Sequence, residues 1–156
     1  TGEAIGYDSS LTRALHKALT ASGMKLANYG TIFVTIADGD KEEALPLIRR
    51  FYNMGFNIEA TRGTARFLKE NGIRTHVLAK ISDGSEEIPQ AIRQGHIAYI
   101  INTSSIGSSD NTKNDGHEIR KLATENKVNI FTALDTVAAL LDVLEETTLC
   151  ISTIDA

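Results

Sequence analysis

Glu59-Ala60-Thr61-Arg62-Gly63-Thr64-Ala65 stands where a short apolar run, 56–60, gives way to a helical pattern. A strand that turns into a helix there leaves the first backbone N–H groups without intrahelical acceptors. Two hydroxyls, a guanidinium and a glycine around such amides suit a phosphate held at a helix N-terminus. As a bare tetrapeptide, Thr61-Arg62-Gly63-Thr64 is equally an ordinary N-cap turn. Its neighbours at other strand ends shift the balance. Thr35, Asp38 and Lys41 close the first apolar run, Lys80 closes the third, and Asn102, Thr103 and Ser104 close the fourth. Two ammonium groups, several hydroxyls and an amide gathered beside a helix start form a set that binds phosphoryl oxygens.

Other chemistries find less support. His16, His76, His96 and His117 are scattered without metal-ligand spacing. Cys150 lies in an apolar segment and reads as a packed residue. The pairs Glu42-Glu43, Glu86-Glu87 and Glu145-Glu146 read as solvated helix positions, two of them at helix starts where the dipole favours acid. Gly-x-Ser-x-Gly, a Walker-type loop and Gly-x-Gly-x-x-Gly are all absent.

The elements that position these residues alternate. Ser9 or Ser10 can cap a helix through about Ser22, followed by a connection over 24–30. Thr31-Ile32-Phe33-Val34-Thr35-Ile36 is β-branched and nearly continuous in apolar character, as in a buried parallel strand. Asp40 then caps a helix to about Met54, with Pro46 inside it and Gly55 ending it. Further strands are predicted over 56–60, 75–79, 97–101 and 128–131. Helices are predicted over 62–71, 86–94 and 117–125, with Gly72 as a left-handed cap. Residues 103–116, rich in Ser, Asn, Asp and Gly, read as the longest loop. Thr132 to Asp135 resembles a capping box for a last helix with Val137, Ala138, Leu141 and Leu144 on one stripe, and 147–156 reads as a tail with strand character. This alternation predicts an α/β fold: three layers, a five-stranded parallel sheet with helices on both faces, and ligands beyond the carboxyl ends of the strands.

The chain has 156 residues, a one-domain length, with net charge −4. That charge gives no global field for nucleic acid or an anionic membrane. The single cysteine excludes an internal disulfide and suggests a reduced, cytoplasmic setting. No apolar run reaches membrane-spanning length. Without an initiator Met, the chain reads as a piece of something longer.

The order of its blocks resembles the C-terminal regulatory domain of the large subunit of bacterial carbamoyl-phosphate synthase. The blocks are Thr1-Gly2-Glu3-Ala4, Asp38-Gly39-Asp40-Lys41, Gly55-Phe56, Ala60-Thr61-Arg62-Gly63-Thr64-Ala65, Ile100-Ile101-Asn102-Thr103 and Ile119-Arg120-Lys121. The resemblance runs essentially end to end and implies a single methylglyoxal-synthase-like domain over 1–156. Residues 1–30 would be an N-terminal helix and linker from a preceding synthetase domain. Such a domain does no chemistry and holds no metal or cofactor; ATP with Mg or Mn belongs to the parent ligase. It binds uridylate (UMP), inosinate (IMP) or phosphoribosyl pyrophosphate (PRPP), and its partners are the synthetase domains and a small glutaminase subunit. A homo-oligomer is compatible with it.

Carried over by position, the resemblance puts the phosphate on Lys41, Thr61, Thr64 and Lys80. Asn102 and Thr103 or Ser104 contact the effector, and Thr35 lies near ribose or base; Gly63 is in the same turn, and Arg62 there could touch the phosphate, the pyrophosphate of an activator or only solvent. The family's aromatic ornithine-contact position is Ile130 here, while Thr132 is kept. Methylglyoxal synthase shares the fold and needs a carboxylate base. Its catalytic Asp position is Ser85, Ser104-Ser105 replace its acid after the fourth strand, and Asp38 is retained. The purine-synthesis cyclohydrolase shares the fold too, but none of its active-site signature is present; an interaction module with an empty pocket is the remaining alternative.

Overall fold

A computed structural model describes Ala14, Lys17, Ala18, Thr20, Ala21, residues 26–103 and residues 110–155, with side chains for 115–147 in the last of these. The predicted helix over 9–22 is met only at those five positions, all helical. Ser104, His16 and the side chain of Cys150 lie outside the described residues.

The β-branched run forms β1 (Thr31–Thr35), the middle of a five-stranded sheet ordered β3-β2-β1-β4-β5. Its partners are β2 (Asn57–Thr61) and β4 (Ile97–Asn102), with β3 (Thr75–Leu78) and β5 (Asn129–Phe131) outside them, and all pairs are parallel. The chain steps outward from β1 to β3, then returns to the other side of β1. All strand ends therefore share one edge, and the order reverses between β1 and β4.

Burial on both faces explains why β1 lacks polar alternation. Ile32, Val34, Ile58, Ala60, Tyr99 and Ile101 pack under α1 (Lys41–Asn53), α2 (Arg62–Glu70) and α5 (Leu134–Asp155). Phe33, Leu78 and Ile100 pack under α3 (Glu87–Arg93) and α4 (Asp110–Glu125). Phe51 and Phe56 meet edge-on at 5.3 Å, and Tyr99 lies 6.1 Å from Phe131. Each such ring, taken fully out of water, contributes roughly 2–3 kcal/mol. The Tyr99 hydroxyl donates to the Ala27 carbonyl at 2.7 Å, tying the segment before β1 to β4. Burial pushes this phenol up to about 12.

Arg50 joins α1 to α5. Its Nε and Nη2 donate to Glu145 at 2.9 and 2.8 Å, and Nη2 also reaches Asp142 at 2.8 Å. These bonds, Glu145's above all, raise the Arg50 pKa further.

Four expectations need correction. α4 begins at Asp110 rather than His117, so much of the predicted loop 103–116 is helix. Its polar composition suggested a loop, but tertiary contacts hold it. Ser82 Oγ donates to Asp115 at 2.9 Å, and Gly116, having no side chain, fits close against Asn102. The tail from 147 continues α5 as helix to Asp155. Thr147 fits there because its hydroxyl bonds back to the Val143 carbonyl at 2.8 Å. Asp40 stands at the N-cap of α1 without a side-chain capping bond. Its backbone is already helical after the 3₁₀ turn Asp38–Asp40, whereas a capping residue is normally extended. In α5 the first helical bond runs from the Val137 N–H to the Ala133 carbonyl, so the cap position is Ala133, not Thr132. Leu134, the first helical residue, is buried against the core.

Candidate anion-binding site

β1, β2 and β4 end side by side on Thr35, Thr61 and Asn102, with Thr35 and Asn102 in register. The Thr61 hydroxyl donates to Thr35 Oγ1 at 3.2 Å. Thr61 has the extended backbone of an N-cap, yet its side chain makes no capping bond. The N–H groups of the first turn of α2 therefore keep their donor capacity for an acceptor outside the helix. Thr61 is thus the N-cap of α2 by its backbone and not through its side chain.

Two other threonines are already committed to the backbone. Thr64 is buried, and its Oγ1 accepts from the Ile36 N–H at 3.1 Å. What it offers an anion is its position in the first turn of α2, not a free hydroxyl. Thr103 Oγ1 accepts from the Ala37 N–H at 2.8 Å, while the Thr103 N–H donates to the Thr35 carbonyl at 3.1 Å. Asn102 is 5% exposed, and its Nδ2 is buried without a partner among the described residues. A buried amide donor in that condition is costly, and a ligand acceptor would relieve it. On α4, Gly116 lies beside this group: a Cβ there would stand 3.5 Å from Nδ2, an ordinary contact distance.

The cations gather next to these strand ends. Lys41 opens α1, and its Nζ bonds Asp38 Oδ1 at 2.5 Å. The same Nζ would lie 3.7 Å from a Cβ on Gly63, which puts the ammonium over the first turn of α2. The hydrogen bond from Lys41, then its charge, hold the Asp38 carboxyl below the usual carboxylate range, and Lys80 lowers it further. Asp38 thus feels both lysines. Lys80 also lines a cleft of about 400 Å³ with Arg62, Gly63, Arg66, Ala79 and Asp83.

The structure therefore groups Lys41, Arg62, Gly63 and Lys80 about one helix start, with Thr35 and Thr61 bonded to each other at the adjacent strand ends. Arg66 and Asp83 were missed by the sequence reading. The signal for Arg66 was its place four residues after Arg62, on the same helix face.

Acid–base chemistry has fewer parts. Asp38 is 94% exposed and tied to Lys41. Ser85 Oγ accepts from the Glu87 N–H at 3.2 Å, and the Glu87 carboxylate accepts from the Ala79 N–H at 2.6 Å. Among the described residues, no group of three His, Cys, Asp or Glu is arranged to hold a metal, and no helix is long and apolar enough to cross a membrane.

A family profile described as an MGS-like domain matches residues 43–132. The methylglyoxal synthase of Elizabethkingia anophelis NUHP1 superposes with a TM-score of 0.62 at 16% identity, covering 74% of this chain and 79% of that one. At that identity the superposition speaks for the five-stranded parallel fold.

Proposed function

The chain belongs to the MGS-like domain family, and from that premise we propose that it is a non-catalytic, effector-binding domain of the carbamoyl-phosphate synthase large-subunit type. Its ligand is a phosphorylated nucleotide-type effector, of which UMP, IMP and PRPP are the candidates. The observation that carries this reading is the placement of the Lys41 ammonium over Gly63 at the start of α2, with Lys80 near enough to act on the same Asp38 carboxylate. A phosphate there meets two ammonium groups, the Arg62 guanidinium and the backbone donors of α2. Each charge-assisted bond is worth about 1.5–3 kcal/mol.

Regulation follows if the ligand favours one arrangement of the elements around it. The Asp38–Asp40 turn and α4, which packs by Gly116 against Asn102, are the elements in reach. A coupling of about 1–3 kcal/mol to neighbouring synthetase domains is the usual scale for such a device. On this reading the domain works in the cytoplasm as part of an ATP-dependent ligase that makes carbamoyl phosphate for pyrimidine and arginine synthesis. ATP, its metal and the glutaminase partner belong to the rest of that assembly.

A second reading, a methylglyoxal-synthase-type phosphate lyase, draws on Asp38, on which both lysines act, and on Asp83, which lines the cleft with Lys80. Calorimetric titration with UMP, IMP and PRPP tests the leading reading. Binding by at least one, weakened about 10- to 100-fold in Lys80→Ala, is expected. Phosphate release from dihydroxyacetone phosphate by the chain would favour the lyase instead. Absence of binding by all three effectors would overturn the leading proposal.

A further inference from the structure

α4 changes character along its length. Its first nine residues, Asp110 to Glu118, contain no apolar side chain, and six of the nine are Asp, Asn, Thr or Gly, which favour turns over helix interiors. The buried anchors begin only at Ile119 and continue with Leu122 and Ala123, which pack with Phe33 and Ile100 of the sheet. A polar stretch that short does not hold a helix in water by itself. Its helicity rests on continuity with the anchored half and on the elements it touches, so opening it locally is cheap.

Those elements belong to two strand ends of the candidate site. Ser82 Oγ donates to Asp115 at 2.9 Å across 33 residues of sequence. Ser82 is the middle residue of the 3₁₀ turn Ile81–Asp83, which follows Lys80 directly and is closed by Gly84 at a φ of 78°. Gly116, the next residue of α4, lies beside the Asn102 amide at the end of β4. A phosphate held by Lys80 thus fixes the chain two residues before the hydroxyl that grips α4. The Ser82–Asp115 bond is open to solvent, and such a bond is made and broken readily. We propose that Ser82 and Asp115 form a latch through which an occupied anion site keeps the first half of α4 helical, so that binding is displayed at the surface as ordering of 110–118. This rests on the effector-binding reading above and supplies its output: the ligand favours the latched helix, and the latched helix favours the ligand by the same factor.

Hydrogen exchange on the full chain, with inorganic phosphate as the probe, tests it. Without phosphate, Ser82→Ala should speed amide exchange over 110–118 about three- to tenfold, the effect of one lost bond to a carboxylate, and leave 119–125 as in wild type. Ser82→Thr keeps the hydroxyl and should restore most of the protection. Ser82 is exposed on a turn, so both variants should keep the fold, which thermal unfolding checks. Saturating phosphate, its binding read by calorimetry, should slow exchange over 110–118 by about threefold or more in wild type and leave it unmoved in Ser82→Ala. Equal exchange over 110–118 in wild type and Ser82→Ala overturns the latch. Bound phosphate that leaves this exchange unchanged in wild type overturns the coupling while effector binding stands. Absence of binding by phosphate, UMP, IMP and PRPP overturns the effector reading and the coupling with it.

Discussion

On the effector-binding reading, Asp38 competes with an incoming phosphate for Lys41, and Asp38→Asn measures that competition. Its Oδ1 lies 2.5 Å from Nζ, and Lys80 also acts on it. The side chain is 94% exposed, so its removal should leave the melting temperature nearly unchanged. Its charge nevertheless opposes the phosphate directly. With Asn there, the two lysines no longer share their field with a resident carboxylate, and phosphate affinity should rise. The pair is open to solvent, which limits the gain to roughly two- to fivefold. Because the Asp38 carboxyl titrates below the usual range, it is ionised throughout neutral conditions. The ratio of variant to wild-type affinity should therefore stay flat between about pH 5 and 8. Any stability it contributes is present above the ordinary carboxylate pKa and is lost as pH falls through its depressed value. Calorimetry with UMP or inorganic phosphate reads the affinity, and a parallel assay follows phosphate release from dihydroxyacetone phosphate. Weaker binding in Asp38→Asn would refute the competition. A wild-type phosphate release that disappears in the variant would make Asp38 a base and favour the lyase.

Thr61→Val keeps shape and removes the hydroxyl that bonds Thr35. Thermal unfolding should show a loss of no more than about 1 kcal/mol, since no capping bond is broken, while effector affinity falls; a large drop in stability would make Thr61 chiefly structural. Tyr99 makes high pH destabilising. The unfolded chain releases this proton near 10 and the folded chain near 12, so denaturant midpoints should decline as pH rises through that window, by up to about 1.4 kcal/mol per pH unit. In Tyr99→Phe that part of the decline should vanish, and an unchanged profile would count against a buried phenol. Arg50→Met breaks the bidentate pair with Glu145 and should cost about 1 kcal/mol in low salt, less in high salt; a melting temperature that does not move would mean the α1–α5 bridge is idle.

Much of the sheet was readable because its cause is local. The β-branched run at 31–36 admits few alternatives, and Gly55 and Gly72 take the positive φ angles, 98° and 80°, that stop their helices. The missed helices depend on distant partners. Nothing near Asp110 announces a helix; Ile119 and Leu122 in the core and the Ser82–Asp115 bond hold it. At 147–156 the β-branched residues Thr147, Thr148, Ile151 and Ile154 imitate a strand. The site shows the same division. Lys41 and Lys80 could be placed at strand ends from spacing, whereas the commitment of Thr64 to Ile36 and of Thr103 to Ala37 exists only once β1, β2 and β4 lie together.

Thr103 has a further effect on how a ligand can arrive. In open sheets of this kind the gap at the reversal of strand order is the natural doorway, here between β1 and β4. Two bonds, Thr103 N–H to the Thr35 carbonyl and Ala37 N–H to Thr103 Oγ1, carry the ladder past the last paired residues and hold the two strand ends together there. The cleft described above lies to one side of that gap, toward the ends of β2 and β3, where Arg62 and Lys80 stand. A molecule gripped by its phosphate would then trail the rest of itself toward the β3 margin of the sheet.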